Sequence, residues 1–275
     1  MTIKPINNNS TPPYLRGALI SYKMRVCTLA SGSSGNSLYI ETQGTKLLVD
    51  AGISMKQIKL RLGSIGVNLD DIDAVITTHE HSDHTHAIKR LSIPTYVASA
   101  TLHLWQDTVS QLNLFESDSA FSINDLYITP FSVPHDAIDP VGFTIESETG
   151  SKLGIVTDIG SVTSLVKERL RGSNILLLEY NHDEEILQYS HYPWDLKQRI
   201  KGRLGHLSNT QGSELLDELC HNGLRHVILG HLSQVNNKPE VAYQSASKVL
   251  KRNGADSEIG ISVAPRKTVG EVIQI

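Results

Sequence analysis

The chain has 275 residues, of which 39% are hydrophobic, so it is long enough to bury a substantial core. Its 25 basic and 29 acidic residues give a net charge of −4, which excludes the strongly positive overall field of a protein wrapped by nucleic acid and leaves room for a local basic patch only. Cys27 and Cys220 lie far apart and outside any CxxC motif. This argues against a disulfide framework or a thiolate metal site, and we expect two buried, reduced thiols.

Residues 1–23 are polar and contain runs of Asn and Pro, which predicts a disordered leader ahead of one domain over residues 24–275. This leader has no sustained apolar stretch of the kind found in a signal peptide. No apolar run in the sequence approaches the roughly 20 residues that a membrane-spanning helix needs. We therefore expect a cytoplasmic protein that does not act on a membrane.

Strand and helix patterns alternate along the remainder of the chain. In the first half, strands are predicted over 25–29, 37–41, 46–49 and 74–77, and helices over 55–62 and 84–91. In the second half, strands are predicted over 126–133, 141–146, 153–157, 175–178, 226–229 and 259–263, and helices over 162–170, 196–200, 211–220 and 241–250. This mixture predicts an α/β protein in which helices cover β-sheets.

The strand predicted over 74–77 runs directly into a dense cluster of His79, His81, Asp83 and His84. In an extended segment His79 and His81 point to the same side, because side chains alternate with a period of two. Two neutral imidazoles on one side form half of a site for a divalent ion such as zinc. Asp83 and His84 fall at the turn into the next predicted helix, where they can face a second ion. The alternative, a solvated histidine-rich loop, is disfavoured because only 12 of the 275 residues are histidine.

The order His-x-His-x-Asp-His after a strand resembles the defining motif of the metallo-β-lactamase superfamily. The resemblance implies an αββα four-layer sandwich with mixed sheets and two metal ions. It assigns the first ion to His79 and His81, and the second ion to Asp83 and His84. The metal could be Mn, Zn or Fe, since histidine and carboxylate ligands accept all three.

The same resemblance implies further site residues at later strand ends. His135 corresponds to the third histidine of the first ion, Asp158 to a carboxylate that bridges the two ions, and His231 to the last ligand of the second ion. Each alone would be an ordinary loop residue, but together they follow strands in the expected order. Asp50 corresponds to the residue that supports the metal loop without binding the ions.

Further segments resemble the YycJ/WalJ-like exonucleases over nearly the whole length from Met24. They are Ser-Gly-Ser-Ser-Gly-Asn-Ser at 31–37, Glu-Tyr-Asn-His-Asp at 179–183, Tyr-Pro-Trp-Asp-Leu-Lys at 192–197, Gly-His-Leu-Ser-Asn at 205–209 and His-Leu-Ser at 231–233. The resemblance implies a hydrolase domain that cleaves DNA phosphodiesters and releases nucleotides from 5′ ends. RNA remains an open alternative to DNA as substrate, and the sequence indicates no obligate protein partner.

A two-metal site suits this chemistry because two ions roughly 3.5 to 4 Å apart can share a bridging water, lower its pKa and clamp the phosphate oxygens. Asp83 and His206 are the candidate catalytic residues. His206 could donate the proton that the leaving oxygen needs, or hold the scissile phosphate. The alternative is a histidine that merely precedes a helix capped by Ser208.

A local basic run before His206 could guide a phosphate backbone, although such runs are more often a solvated surface. The candidate substrate contacts are Lys197, Lys201, Ser208 and Asn209. His182 could contact substrate, support the metal ligands or be structural. Trp194 could stack on a base, but we expect it to pack in the core.

Two other functions are compatible with part of this sequence. An acyl hydrolase of the same superfamily, a thioesterase or lactonase, would use nearly the same ligands on a carbonyl substrate, but the Gly-His-Leu-Ser-Asn segment and the basic run favour phosphate. A non-catalytic metal-dependent redox or binding module would lack a ligand, whereas all seven ligand positions are filled here.

Overall fold

Two stacked β-sheets form the centre of the computed structural model, which describes residues 23–275. The strands of the first sheet are β1 (Arg25–Ala30), β2 (Ser37–Glu41), β3 (Lys46–Val49), β4 (Ala74–Ile76), β5 (Thr95–Ala98) and β6 (Leu112–Phe115). The strands of the second are β7 (Phe121–Ile123), β8 (Leu126–Ser132), β9 (Val141–Ser147), β10 (Lys152–Val156), β11 (Ile175–Glu179), β12 (His226–Gly230) and β13 (Gly260–Val263). A last strand, β14 (Val272–Gln274), returns to the first sheet beside β1.

Helices lie between and around these strands. They are α1 (Met55–Ser64), α2 (Ser82–Thr85), α3 (Ser164–Leu170), α4 (Glu184–Tyr189), α5 (Trp194–Lys201), α6 (Asn209–Leu219) and α7 (Pro239–Arg252), with 3-10 turns at Leu69–Asp71, Ile88–Arg90 and Ser99–Leu104. None of the helices within residues 23–275 is long and apolar enough to cross a bilayer.

The two sheets share one pairing pattern. The first has the order β14-β1-β2-β3-β4-β5-β6, and the second β7-β8-β9-β10-β11-β12-β13. In each sheet the first three pairs are antiparallel and the last three are parallel. Both sheets are therefore mixed, as expected.

Successive side chains along the strands pack alternately into the core between the sheets and into an outer core under the helices. In β2, Leu38 and Ile40 pack into the core between the sheets, while Tyr39 packs into the outer core with Ile58 and Leu62 of α1. The outer face of the second sheet is covered by α3, α6 and α7 in the same way. Since successive side chains of a strand face opposite sides, a strand buried on both faces needs a layer on each side. The result is the expected four-layer αββα sandwich.

Several local predictions differ from the structure. The helix predicted over 84–91 is wrong, because α2 ends at Thr85 and only a 3-10 turn follows at Ile88–Arg90. The short strands β5, β6, β7 and β14 and the helix α4 were not predicted. The leader expected over residues 1–23 lies outside the described residues except for Lys23, whose backbone N–H donates to the Ile275 carbonyl at 2.6 Å.

Candidate metal centre

The candidate site lies where the carboxyl ends of strands from both sheets meet. Asp50 directly follows β3, and His79 follows β4 by two residues in the first sheet. In the second sheet Asp158 follows β10, Glu179 ends β11 and His231 directly follows β12. Because the strands around each of these positions run parallel, their carboxyl ends share one edge, which is where ligands bind in sheets of this type.

Three of these residues adopt a left-handed backbone. Asp50 has φ of 62°, Asp158 of 54° and His231 of 54°. A positive φ in a non-glycine residue is sterically unfavourable and is concentrated at functional sites, where the surrounding structure enforces it. Here it turns the chain sharply at the moment it leaves each strand, so that three polar side chains are held at the same edge.

His79, His81 and His135 form the first cluster. Nε2 of His79 lies 3.0 Å from Nδ1 of His81, and the His135 ring centroid lies 5.1 Å and 5.3 Å from those of His79 and His81. Each ring offers a nitrogen within 4.8 Å of the others. The structure thus brings together the three histidines assigned to the first ion.

Asp83, His84 and His231 form the second cluster, again with one ligand atom from each within 4.8 Å of the others. Asp158 lies between the clusters. Its Oδ2 is 3.2 Å from Nε2 of His84, and its Oδ1 is 3.4 Å from Nε2 of His231 and 4.0 Å from Nε2 of His135. A carboxylate in this position can reach an ion on either side.

Asp50 supports the second cluster from behind. Its Oδ2 lies 2.7 Å from Nδ1 of His84, and its Oδ1 accepts the backbone N–H of Thr78 at 2.8 Å. The carboxylate therefore fixes the His84 ring with Nε2 turned towards Asp158. A partner on the far ring nitrogen is the usual companion of a metal-binding histidine.

Glu179 is a site residue that the sequence prediction missed. It is fully buried, and one oxygen lies 2.8 Å from Nδ1 of His206 and 3.0 Å from Nδ1 of His231. Its other oxygen accepts the backbone N–H groups of Ile159 and Leu207 at 2.9 and 3.3 Å. The signal was present in the sequence, since Glu179 ends an apolar strand just as the other site residues follow theirs.

The loop at residues 31–36 reaches the same centre. Ser31 Oγ accepts the backbone N–H of His231 at 2.8 Å, and the side-chain nitrogen of Asn36 lies 3.0 Å from Nε2 of His84. The first contact fixes the turn after β12, and the second places an amide at the edge of the second cluster. Neither residue was assigned from the sequence, although their segment was singled out.

The site carries buried negative charge. Burial would raise the pKa of Glu179, but the neighbouring His206 and His231 lower it to about 2. Burial likewise opposes ionisation of Asp158, yet His231 and His84 hold its pKa well below the usual range. His231 shows the reciprocal effect: burial opposes its charge, but Asp158, Asp83 and Glu179 raise its pKa to about 10. The carboxylates therefore favour positive charge at this edge.

The donor set fits a pair of divalent ions. Among the described residues, three buried atoms of the clusters make no hydrogen bond: Nε2 of His135, Nε2 of His231 and Oδ2 of Asp158. Buried polar atoms without partners are costly and rare, and here they converge on one place. Imidazole nitrogens with carboxylate oxygens are typical ligands of zinc, iron and manganese.

His206 lies beside the clusters and opens to solvent. Its ring centroid is 5.4 Å from that of His135 and 5.1 Å from that of His231, and its side chain is 22% exposed. It lines a pocket of about 230 Å³ together with Asn181, Tyr192, Ser233 and others. Its position therefore gives a substrate access to the ring.

Three other candidate residues are engaged inside the protein. Ser208 and Asn209 are buried: Ser208 caps α6 and bonds Glu184, while the side-chain amide of Asn209 pairs with that of Asn237. His182 is also buried, and burial lowers its pKa to about 4. Its ring makes no hydrogen bond to either cluster within the described range.

Helix α5 lines the pocket through Leu196, Arg199 and Ile200, and it carries the remaining candidates at other positions. Nζ of Lys197 donates to the carbonyls of Gln188 and Ser190 at 2.8 and 2.7 Å, so it fastens the turn after α4. Lys201 is exposed. Trp194 is 75% exposed, so the expectation that it packs in the core is wrong.

Comparisons with known proteins agree with this geometry. Residues 45–232 match the Beta-lactamase superfamily domain. The chain is 37% identical over 246 residues to exodeoxyribonuclease WalJ of Streptococcus pneumoniae serotype 2, spanning 86% of this chain and 90% of that protein. It is 33% identical over 235 residues to exodeoxyribonuclease YycJ of Bacillus anthracis, spanning 82% and 89%. The solved structure of YhfI, a metallo-β-lactamase fold protein of Bacillus subtilis, matches with a TM-score of 0.70 at 18% identity over 92% of this chain and 99% of that chain, which confirms the fold.

Proposed function

Because this chain belongs to the β-lactamase superfamily and, within it, to the family of the WalJ and YycJ exodeoxyribonucleases, we propose that it is a dinuclear metal-dependent phosphodiesterase that degrades DNA from 5′ ends. The observation that carries the proposal is the pair of ligand clusters joined at Asp158, with His206 at the mouth of the adjoining pocket. An acyl hydrolase could use the clusters alone. An acyl hydrolase would not require the exposed Lys201 and Trp194 on helix α5.

In this proposal His79, His81 and His135 would hold one ion, Asp83, His84 and His231 would hold the other, and Asp158 would contribute to both sites. Such ions, Mn, Zn or Fe, would supply a water of lowered pKa and electrostatic stabilisation of the phosphate. Asp50 keeps His84 in its binding orientation, and Glu179 does the same for His231.

His206 is the proposed proton donor to the leaving oxygen. Its Nδ1 faces the Glu179 carboxylate at 2.8 Å, so Nε2 is the nitrogen left to exchange a proton with substrate. Burial opposes the charged imidazole, but Glu179 raises the pKa of His206, which favours the acid form. Asp83, whose side chain is 24% exposed, would accept a hydrogen bond from the attacking water.

The exposed side of helix α5 is the proposed contact with the nucleic acid outside the pocket. Trp194 offers a flat face on which a base can stack, and Lys201 offers a cation for a phosphate. Lys197 contributes indirectly, since it fastens the turn from which α5 begins. The proposed contacts do not include Ser208, Asn209 and His182, because these buried side chains cannot reach a DNA strand.

The chain between residues 24 and 275 is the proposed hydrolase domain, acting in the cytoplasm. Its free thiols Cys27 and Cys220 support a reducing compartment.

The test is digestion of DNA labelled at the 5′ or the 3′ end by the purified protein with Mn²⁺, beside a lactone and a thioester. Release of single nucleotides from the 5′ end, abolished by a chelator, supports the proposal. Earlier loss of the 3′ label would show that the protein degrades DNA from the 3′ end instead. Intact DNA with rapid cleavage of the lactone or the thioester would replace the nuclease by an acyl hydrolase that uses the same clusters.

A further inference from the structure

A second groove, of about 470 Å³, adjoins the active-site pocket. One wall is the loop after β12, which includes Ser233, Gln234 and Asn237, and the other is the segment 263–267, which begins at the last residue of β13. Ser233 lines both the groove and the pocket beside His206. The two depressions therefore meet at a residue that lies two positions after His231.

The groove has a positive wall. Its lining contains Arg266 and Lys267 and, among the described residues, no carboxylate. Neither cation forms an ion pair within residues 23–275, whereas Arg199, Lys167 and Arg252 elsewhere on the surface each face an acid within 2.8 Å. In a chain of net charge −4, two adjacent cations without an acidic partner are available to an anion.

A buried arginine fixes this wall. The guanidinium of Arg61 is only 9% exposed, and it donates to the carbonyls of Leu29, Arg266 and Lys267 at 2.6, 3.5 and 2.9 Å. A buried guanidinium is costly unless its donors are satisfied, so this side chain is committed to holding the segment. The backbone that presents the two cations is thus tied to β1.

Arg266 is also tied to the loop that enters the metal centre. Its side-chain stem packs over Gly32, where an added Cβ would lie 3.0 Å from its Cγ. Gly32 has φ of 124° and adjoins Ser31, which accepts the backbone N–H of His231. The side-chain stem of Arg266 is therefore held at a fixed position relative to the metal centre.

We propose that this groove holds the body of a single DNA strand, with successive phosphates on Arg266 and Lys267, while the terminal nucleotide lies in the pocket beside His206. The inference rests on the proposed function. An enzyme that removes end nucleotides needs a confined place for the last nucleotide and an open path for the rest of the strand. The smaller pocket and the larger groove, meeting at Ser233, supply these two places in order.

The test compares Arg266→Ala/Lys267→Ala with wild type on two substrates. One is a single-stranded oligodeoxynucleotide of about 12 nucleotides, within the span of typical strand-binding sites. The other is bis(p-nitrophenyl) phosphate, a phosphodiester too small to reach the groove. We expect KM for the oligonucleotide to rise about tenfold or more, because two phosphate contacts are lost. The kinetics on the small diester should be unchanged.

The control variant is Lys248→Ala/Lys251→Ala, which removes the same charge from exposed positions of α7. These positions lie about 14 Å or more along the helix from Pro239 at the groove. Equal KM values for the oligonucleotide in the two double variants would overturn the proposal. A rise in KM for the small diester as well would also overturn it, since the cations would then act on the site itself.

Binding provides a readout independent of hydrolysis. With EDTA present, the anisotropy of a labelled oligonucleotide gives Kd as a function of salt. Loss of two phosphate contacts should lower the slope of log Kd against log salt by roughly 1.4 relative to the control variant. An unchanged slope would exclude the groove as the path of the strand. If wild type binds the oligonucleotide through these cations but cleaves no diester, the proposed catalytic function fails while the groove assignment stands.

Discussion

A carboxylate oxygen of Glu179 lies 2.8 Å from Nδ1 of His206. Glu179→Gln removes the charge that favours the protonated ring of His206 and also alters the partner of His231. We expect kcat to fall about 10- to 100-fold, the usual loss when a partner of a metal-binding histidine is changed, with the fold retained. Steady-state kinetics and metal analysis measure both effects. Glu218→Gln, on the exposed face of α6, is the control, and an equal effect of the two would remove Glu179 from the site.

His206→Ala should lower kcat by roughly 10²- to 10⁴-fold, the range for loss of a general acid, while both metals remain bound. The substitution removes the ring from the pocket without touching the two ligand clusters. His191→Ala, at an exposed position, controls for loss of an imidazole. Loss of an ion in His206→Ala would mean that this ring is a metal ligand.

Asp158→Asn should abolish measurable hydrolysis and lower metal content. The amide can keep the left-handed backbone, which Asn tolerates, but it loses the charge between His84 and His231. Mass spectrometry of bound metal after dialysis checks this expectation. The matched control is Asp118→Asn, which makes the same change at another left-handed aspartate. Two tightly held ions in Asp158→Asn would refute the bridging assignment.

Trp194→Ala should raise KM for single-stranded DNA roughly 5- to 100-fold, which corresponds to the loss of one stacked base. The kinetics on bis(p-nitrophenyl) phosphate should not change, since Trp194 neither lines the pocket nor belongs to the ligand clusters. Tyr127→Ala is the control, because Tyr127 is an exposed aromatic residue on a different element, β8. If Trp194→Ala has the same KM as wild type, no base of the DNA stacks on Trp194.

Cys27 should be inert to thiol reagents in the folded protein. Burial raises its pKa to about 11, although Arg25 opposes this, so only about one thiol in a thousand is ionised at pH 8. Cys220 is partly exposed and should react first. In Cys220→Ser, labelling should be negligible below pH 9, should increase as the pH approaches the raised pKa and should become complete in denaturant. Rapid labelling of that variant at pH 8 would contradict the burial of Cys27.

Most strands could be predicted from the sequence because each contains its own pattern of apolar residues. The bounds 37–41 and 46–49 agree with β2 and β3, where apolar residues alternate between two cores. The helix predicted over 84–91 does not form as one element. The helix α2 ends at Thr85, and a separate 3-10 turn follows at Ile88–Arg90. The strands β5 to β7 contain only 4, 4 and 3 residues, which is too short for an alternating pattern to be recognised.

The seven candidate ligands could be named from the sequence because the His-x-His-x-Asp-His segment resembles the metallo-β-lactamase motif and the later candidates follow strands, and the structure brings all seven side chains together. The supporting contacts were not predictable in the same way. Glu179 faces His206 and His231 only because strand ends and loops distant in sequence meet. The engagement of Lys197 with two backbone carbonyls depends on the turn between α4 and α5, which the sequence pattern did not indicate.

The left-handed turns at Asp50, Asp158 and His231 have a consequence for the evolution of the chain. Glycine enters this backbone region freely, whereas other residues carry a cost of roughly 1 kcal/mol or more. At these three positions the backbone would therefore be relaxed by a substitution that removes a site side chain. Glycine there would also leave buried partners of Asp50, Asp158 and His231 unpaired, at a cost of about 1 to 3 kcal/mol for each partner, so the contacts of the site side chains outweigh the strain of the turns that position them.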